Sequence, residues 1–173
     1  MPTQDLPRGT MIVLMLAAFT VSIGYGVVLP LLPYLIERLL GAGVTVSEVS
    51  RHTGLLTAVY TLSPFLFAPM WGRLADRHGP RGVLLIGLAG FAVTMMGFSF
   101  VENLAAIYAE RFLSGIFAAA VTPVAASVIG NFSQTEQRRI RRFTFVSMAG
   151  ITGFLLGPML GVIVTRAGTN LFT

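Results

Sequence analysis

The chain has 173 residues, 54% of them hydrophobic and only 11% charged, with a formal net charge of +5. Soluble domains carry roughly a quarter charged residues, so this composition excludes an ordinary water-soluble core and points to a bilayer protein. Cysteine is absent, which excludes disulfides, thiolate catalysis and cysteine-ligated metals; lysine is absent too, so every basic side chain apart from histidine is an arginine.

A hydrocarbon core of roughly 30 Å needs about 20 helical residues. Five stretches meet that length, near Met11–Pro33, Gly54–Trp71, Val83–Val101, Leu104–Ile129 and Phe143–Thr165. They are apolar on all faces, which predicts helices rather than the alternating strands of a barrel. The first run is longer than the core of a signal peptide, contains Pro30 and Pro33, and lacks a small-x-small cleavage site, so it reads as a retained helix. Its Thr20, Ser22 and Tyr25, with Tyr60 of the second run, are polar groups that can face a cavity. Back-bonding of the Thr20 and Ser22 hydroxyls to their own helix is the plainer alternative.

Between the second and third runs lies GRLADRHGPRG, residues 72–82, dense in ionisable groups. Gly72 permits close helix approach near the membrane surface. Asp76 is placed to cap the third helix or to pair with a nearby arginine. The fourth run contains Glu110 and Arg111, the charged residues lying well inside a span. Such groups are costly in lipid and mark a functional site by default, with snorkelling towards the headgroups as the bland alternative. As helix neighbours they point about 100° apart and need not pair with each other. In the fifth run Pro158 removes a backbone hydrogen bond and, with Gly153, Gly157 and Gly161, allows a bend and close packing. A packing kink and a hinge both remain open there.

With the N-terminus in the cytoplasm, the inside segments hold eight arginines and the outside segments three, as the positive-inside rule requires. Asn131-Phe132-Ser133, formally a glycosylation sequon, then lies inside. The cluster QRRIRR at 137–142 reads as a topogenic, lipid-contacting segment and not as a nucleic-acid patch. His52 and His78 are expected in loops, without companions at metal spacing, so no metal is expected, and no cofactor. No hydrolytic constellation or phosphate loop is present in the sequence.

The spacing G-x-L-A-D-R-x-G-x-R at 72–81 resembles the loop signature of the major facilitator superfamily, a large group of secondary transporters. Gly72, Leu74, Ala75, Asp76, Arg77, Gly79 and Arg81 match, and Pro80 stands where a basic residue is usual. Gly24 and Pro30-x-x-Pro33 resemble the family's proline-bearing first-helix motif. Arg111-x-x-Ser114-Gly115 resembles R-x-x-Q-G, with serine for glutamine and Phe117 where a small residue is common. Gly153-x-x-x-Gly157-Pro158-x-x-Gly161 resembles the motif of the drug–proton antiporter branch, Val162 replacing a second glycine. The chain as a whole is similar to tetracycline and multidrug efflux proteins.

The resemblance implies an all-α membrane protein built from inverted three-helix repeats. The internal similarity of FLFAPMWG (65–72) to FLLGPMLG (154–161) fits that plan. Residues 1–10 would be a cytoplasmic N-terminus, 11–101 a first repeat, and 102–173 a second repeat without its last helix. The C-terminal half is absent. Asp76 and Arg77 would lock one closed state against that half, and Arg111 would line the cavity. Glu110 is the local candidate for a protonatable group, because the positions of the acids of tetracycline exporters correspond here to Thr20 and Thr94. The expected function is proton-coupled export of small amphipathic compounds from a bacterial inner membrane. An importer or sugar exporter of the same fold is the alternative, as is a truncated protein that only pairs with other helices. The expected partners are a small-molecule substrate, protons, the lipid bilayer and the missing half, with no nucleic acid. An enzyme is not expected.

Overall fold

The structure, a computed structural model, describes residues 6–171 apart from 42 and 134, with side chains through 163. Among these the order is α1 (Arg8–Val28), α2 (Leu31–Leu40), α3 (Val46–His78), α4 (Pro80–Gly97), a 3-10 turn (Phe98–Phe100), α5 (Leu104–Ala118), α6 (Val121–Phe132) and α7 (Glu136–Leu171). Five helical stretches are long and apolar enough to cross a membrane: Arg8–Val28, Val46–His78, Pro80–Phe100, Leu104–Phe132 and Glu136–Ile163. They coincide with the five expected spans, but several run further than the apolar residues do. The reason is capping. Thr45 Oγ1 accepts the N–H of Glu48 at 3.3 Å while the Glu48 carboxylate accepts the N–H of Thr45 at 2.9 Å, so α3 starts two turns before its apolar stretch.

At its other end α3 continues through most of the charged segment to His78. Gly79 alone, at φ 86° and ψ 147°, turns the chain into α4. A side chain is strained at that φ, so glycine is required here. The expected loop is therefore mainly the last two turns of a helix.

The first and fourth spans are interrupted, and for the same reason. Proline lacks the N–H that the carbonyl four residues earlier would accept. Pro33 frees Leu29, and the chain breaks between α1 and α2; Pro123 frees Ala119, and it breaks between α5 and α6. At the second break the Ala120 N–H turns to the Phe117 carbonyl at 3.2 Å, and the Ile116 carbonyl instead accepts Trp71 Nε1–H at 2.7 Å. Pro33 and Pro123 stand just one residue further apart than Phe65 and Phe154, which open the two similar octapeptides. Helix interruption thus recurs with the same period as the sequence repeat.

α1 packs along α7, α3 along α5, and α4 lies against α5 and α6. Contacts in the first pair climb together: Gly153 against Phe19, Gly157 against Gly26, Gly161 against Val27. In the second pair His52 meets Tyr108 and Ser63 meets Gly115. Each pair is therefore parallel within itself. α3 turns straight back into α4, and α4 runs with α1 (Gly24 lies under the Phe91 ring), so the two pairs are antiparallel to each other. The largest core cluster fills the space between Leu14, Trp71, Val83 and Val124.

Small residues set the helix spacing, as expected where no hydrophobic force drives helices together in lipid. A Cβ on Gly153 would lie 2.5 Å from the Phe19 carbonyl oxygen, one on Gly157 2.6 Å from Gly26 Cα, and one on Gly161 2.7 Å from the Val27 carbonyl oxygen. Pro158 sits inside an unbroken α7 with its Cδ against Gly26. Gly115 plays the same part for the other pair, directly on the Tyr60 carbonyl and Ser63. Gly72, expected to permit close approach, has only an ordinary 3.7 Å contact to Pro123 and leaves room for a methyl group.

A buried ion pair and an aromatic seam

Glu110 and Arg111 lie in the middle of α5, on the side facing α3, and are 7% and 1% exposed. They do pair, which helix geometry alone leaves open. Arg111 Nε–H donates to one Glu110 oxygen at 2.6 Å and Nη2–H to the other at 2.7 Å. Both side chains are long enough to close the angle between neighbouring positions. A charge left alone in the interior costs several kcal/mol, more than the roughly 1 kcal/mol of adjusting a side-chain torsion. Neither chain snorkels. Arg111 Nη1 is buried without a hydrogen-bond partner.

Aromatic rings enclose this pair. The Arg111 guanidinium lies 5.0 Å from the Phe98 centroid and 5.7 Å from that of Tyr60. Such cation–π contacts strengthen when desolvated. Tyr60 stacks on Tyr25 with centroids 4.4 Å apart and planes within 6°, and Tyr25 stacks on Phe154 at 5.9 Å. The stack joins α1, α3 and α7, so it bridges the two helix pairs. Ser114, at the glutamine position of the family motif, donates its hydroxyl to the Arg111 carbonyl at 3.1 Å and does not reach the guanidinium.

The remaining expected site residues are not drawn into this cluster. Thr20 is exposed and lines a groove of about 560 Å³ with Gly24, Phe91, Met95 and Leu160. The Thr94 hydroxyl donates to the Phe91 carbonyl at 2.8 Å. Among the described residues Thr20 and Ser22 make no hydrogen bond to their own helix, unlike Thr53 and Thr57. Asp76, Arg77 and Arg81 are exposed and form no ion pair among the described residues. Asp76 caps nothing, because Gly79 occupies the N-cap of α4 and Asp76 is itself held within α3. Phe98 was missed by sequence reasoning. Its signal was an aromatic residue at the end of the third span, level with the charged pair of the fourth. His52 Nδ1 and Tyr108 Oη are in hydrogen-bond contact at 3.0 Å.

Antiparallel pairs of membrane-length helices, with an ion pair buried at their seam, mark an all-α integral membrane protein. The chain belongs to the Major Facilitator Superfamily, whose profile matches residues 14–171. It is 34% identical over 140 residues to the class B tetracycline resistance protein of Escherichia coli, covering 81% of this chain and 33% of that protein. It is 36% identical over 154 residues to the class G protein of Vibrio anguillarum (89% and 38%). It is 32% identical over 143 residues to the quinolone resistance protein NorA of Staphylococcus aureus (83% and 35%). The chain thus spans about a third of the length of these curated relatives.

Proposed function

We propose that this chain is the N-terminal part of a secondary transporter that exports small amphipathic compounds in exchange for protons. Its membrane would be a bacterial inner membrane, with the N-terminus in the cytoplasm. Family membership and relatives named for tetracycline and quinolone resistance support the class. The observation that carries the proton step is the buried Glu110–Arg111 pair with one unpartnered guanidinium nitrogen. Protonating Glu110 removes the negative charge and frees the guanidinium to take another acceptor. A buried arginine beside a neutral acid is costly unless such an acceptor arrives. Proton uptake is then linked to occupancy or to movement of the seam formed by Tyr25, Tyr60 and Phe154. Thr20 and Thr94 carry no charge, so within this chain the proton falls to Glu110.

Two further parts of the reading concern what lies outside this chain. Asp76, Arg77 and Arg81 are unpaired and exposed, as groups that lock against a second half must be. The groove along α1 and α4 is the seat of a sixth helix that completes the second repeat. α4 rests on the fourth span where Gly87 meets Ala120 and Gly90 meets Phe117. Carried back by the spacing of the two octapeptides, Ala120 and Phe117 fall on Leu31 and Val28, and both line this groove. α7 passes beside Val27 and Pro30 at Gly161, along the edge of the groove.

The test is quinolone extrusion by the whole gene product in everted membrane vesicles. Extrusion should stop when the proton gradient is dissipated, and Glu110→Gln should abolish it, because the uncoupled chain has nothing to drive uphill transport. Extrusion indifferent to the gradient would overturn the proton reading. Accumulation in the opposite direction would point to an importer.

A further inference from the structure

A second cavity lies at the other end of the first helix, away from the seam. It is a crevice of about 300 Å³ lined by Pro7, Gly9, Thr10 and Val13 of the N-terminal segment, Pro80 and Arg81 at the start of α4, and Val124 and Val128 of α6. Its floor is Leu14, Leu84, Val124 and Val128, all less than 9% exposed. Thr10 and Arg81 are the polar side chains in its lining, and Arg81 is the one basic group there. Arg81 is exposed and has no ion-pair partner among the described residues. No acidic side chain lines the crevice.

An apolar floor with an arginine without an ion-pair partner among the described residues in its lining, at the end of three membrane helices, matches one occupant in its surroundings. We propose that this crevice binds an anionic phospholipid, one acyl chain lying on Leu14, Leu84 and Val128 and the headgroup phosphate at Arg81. Water is a poor occupant of an apolar floor. A zwitterionic lipid would fill the floor equally well but would leave Arg81 uncompensated. A basic residue near the surface favours an anionic headgroup by about fivefold, and Arg81 supplies that preference here. The site does not use the ion pair, though it shares Arg81 with the lock proposed above, and it stands if the transport reading fails.

The experiment uses the whole chain purified in mild detergent. Bound lipid is counted by native mass spectrometry after titration with phosphatidylglycerol or phosphatidylcholine. One phosphatidylglycerol per chain should be retained in preference to phosphatidylcholine, and Arg81→Gln should cut that preference about fivefold. Gly9→Leu should block retention of both lipids, because a Cβ at Gly9 meets nothing within 4 Å and the longer side chain has room to enter the crevice. Arg81 and Gly9 are exposed, and circular dichroism confirms that each variant remains helical. Equal retention of the two lipids, or retention unchanged in both variants, overturns the proposal. Competition by glycerol 3-phosphate would assign Arg81 to a soluble anion instead. A dimer that Gly9→Leu dissociates would assign the crevice to a second copy of the chain.

Discussion

Gly157→Ala is the sharpest test of the packing between α1 and α7. The added methyl carbon would sit 2.6 Å from both Cα and the carbonyl carbon of Gly26 and 2.8 Å from the Ile23 carbonyl oxygen. Ordinary carbon–carbon contact is about 3.5–4.0 Å, so the helices must separate by about 1 Å. Every obstructing atom is backbone, and no side chain can rotate away. Overpacking of this kind costs about 1–3 kcal/mol, and the better helix propensity of alanine returns up to about 1 kcal/mol. A Cβ at Gly54 meets nothing within 4 Å, so Gly54→Ala keeps the propensity gain without the clash. The two variants should therefore differ by about 2 kcal/mol, with Gly157→Ala the weaker. Unfolding in mixed micelles by sodium dodecyl sulfate, followed by circular dichroism, reads the difference. If Gly157→Ala unfolds at the same detergent fraction as Gly54→Ala, or later, the close approach of α1 and α7 is wrong.

Glu110→Leu should destabilise the chain by about 3–5 kcal/mol in the same unfolding assay, since it strands Arg111 in the interior. The double variant Glu110→Leu with Arg111→Met should recover most of that loss. Trp71→Phe keeps the ring contact to Phe117 but leaves the Ile116 carbonyl without its donor, at a cost of about 1–3 kcal/mol. Adding Pro123→Ala should make the Trp71 loss smaller, because Ile116 can then be satisfied within a continuous helix; a double-mutant cycle measures that coupling.

The five spans were legible because each is an apolar run of bilayer length, a property of composition that needs no knowledge of packing. Their ends were not, because helix length here is decided by Thr45 with Glu48 and by Gly79, a local capping pair and a single backbone conformation. The break before Pro33 could be expected from the two prolines of the first span. Its counterpart before Pro123 carries the same chemical signal and went unread among small residues. Glu110 and Arg111 stood out because charge is rare in the spans. Their pairing depended on side-chain torsions that helical spacing leaves open. The aromatic partners belong to three other spans, and nothing in the order of residues brings Tyr25, Tyr60 and Phe98 to one arginine. Asp76 illustrates the opposite error: a capping residue by type, it is spent inside the helix that precedes the turn.

The joint at Gly79 has a mechanical consequence. One residue between α3 and α4 can take up almost no relative motion, and a piston-like slide of α3 is handed on to α4 nearly in full. α4 carries it to Phe117 and Ala120, beside the break in the fourth span. Force applied to the charged tip of α3 would therefore arrive about two turns from the buried arginine, through a rigid elbow and not through a flexible tether.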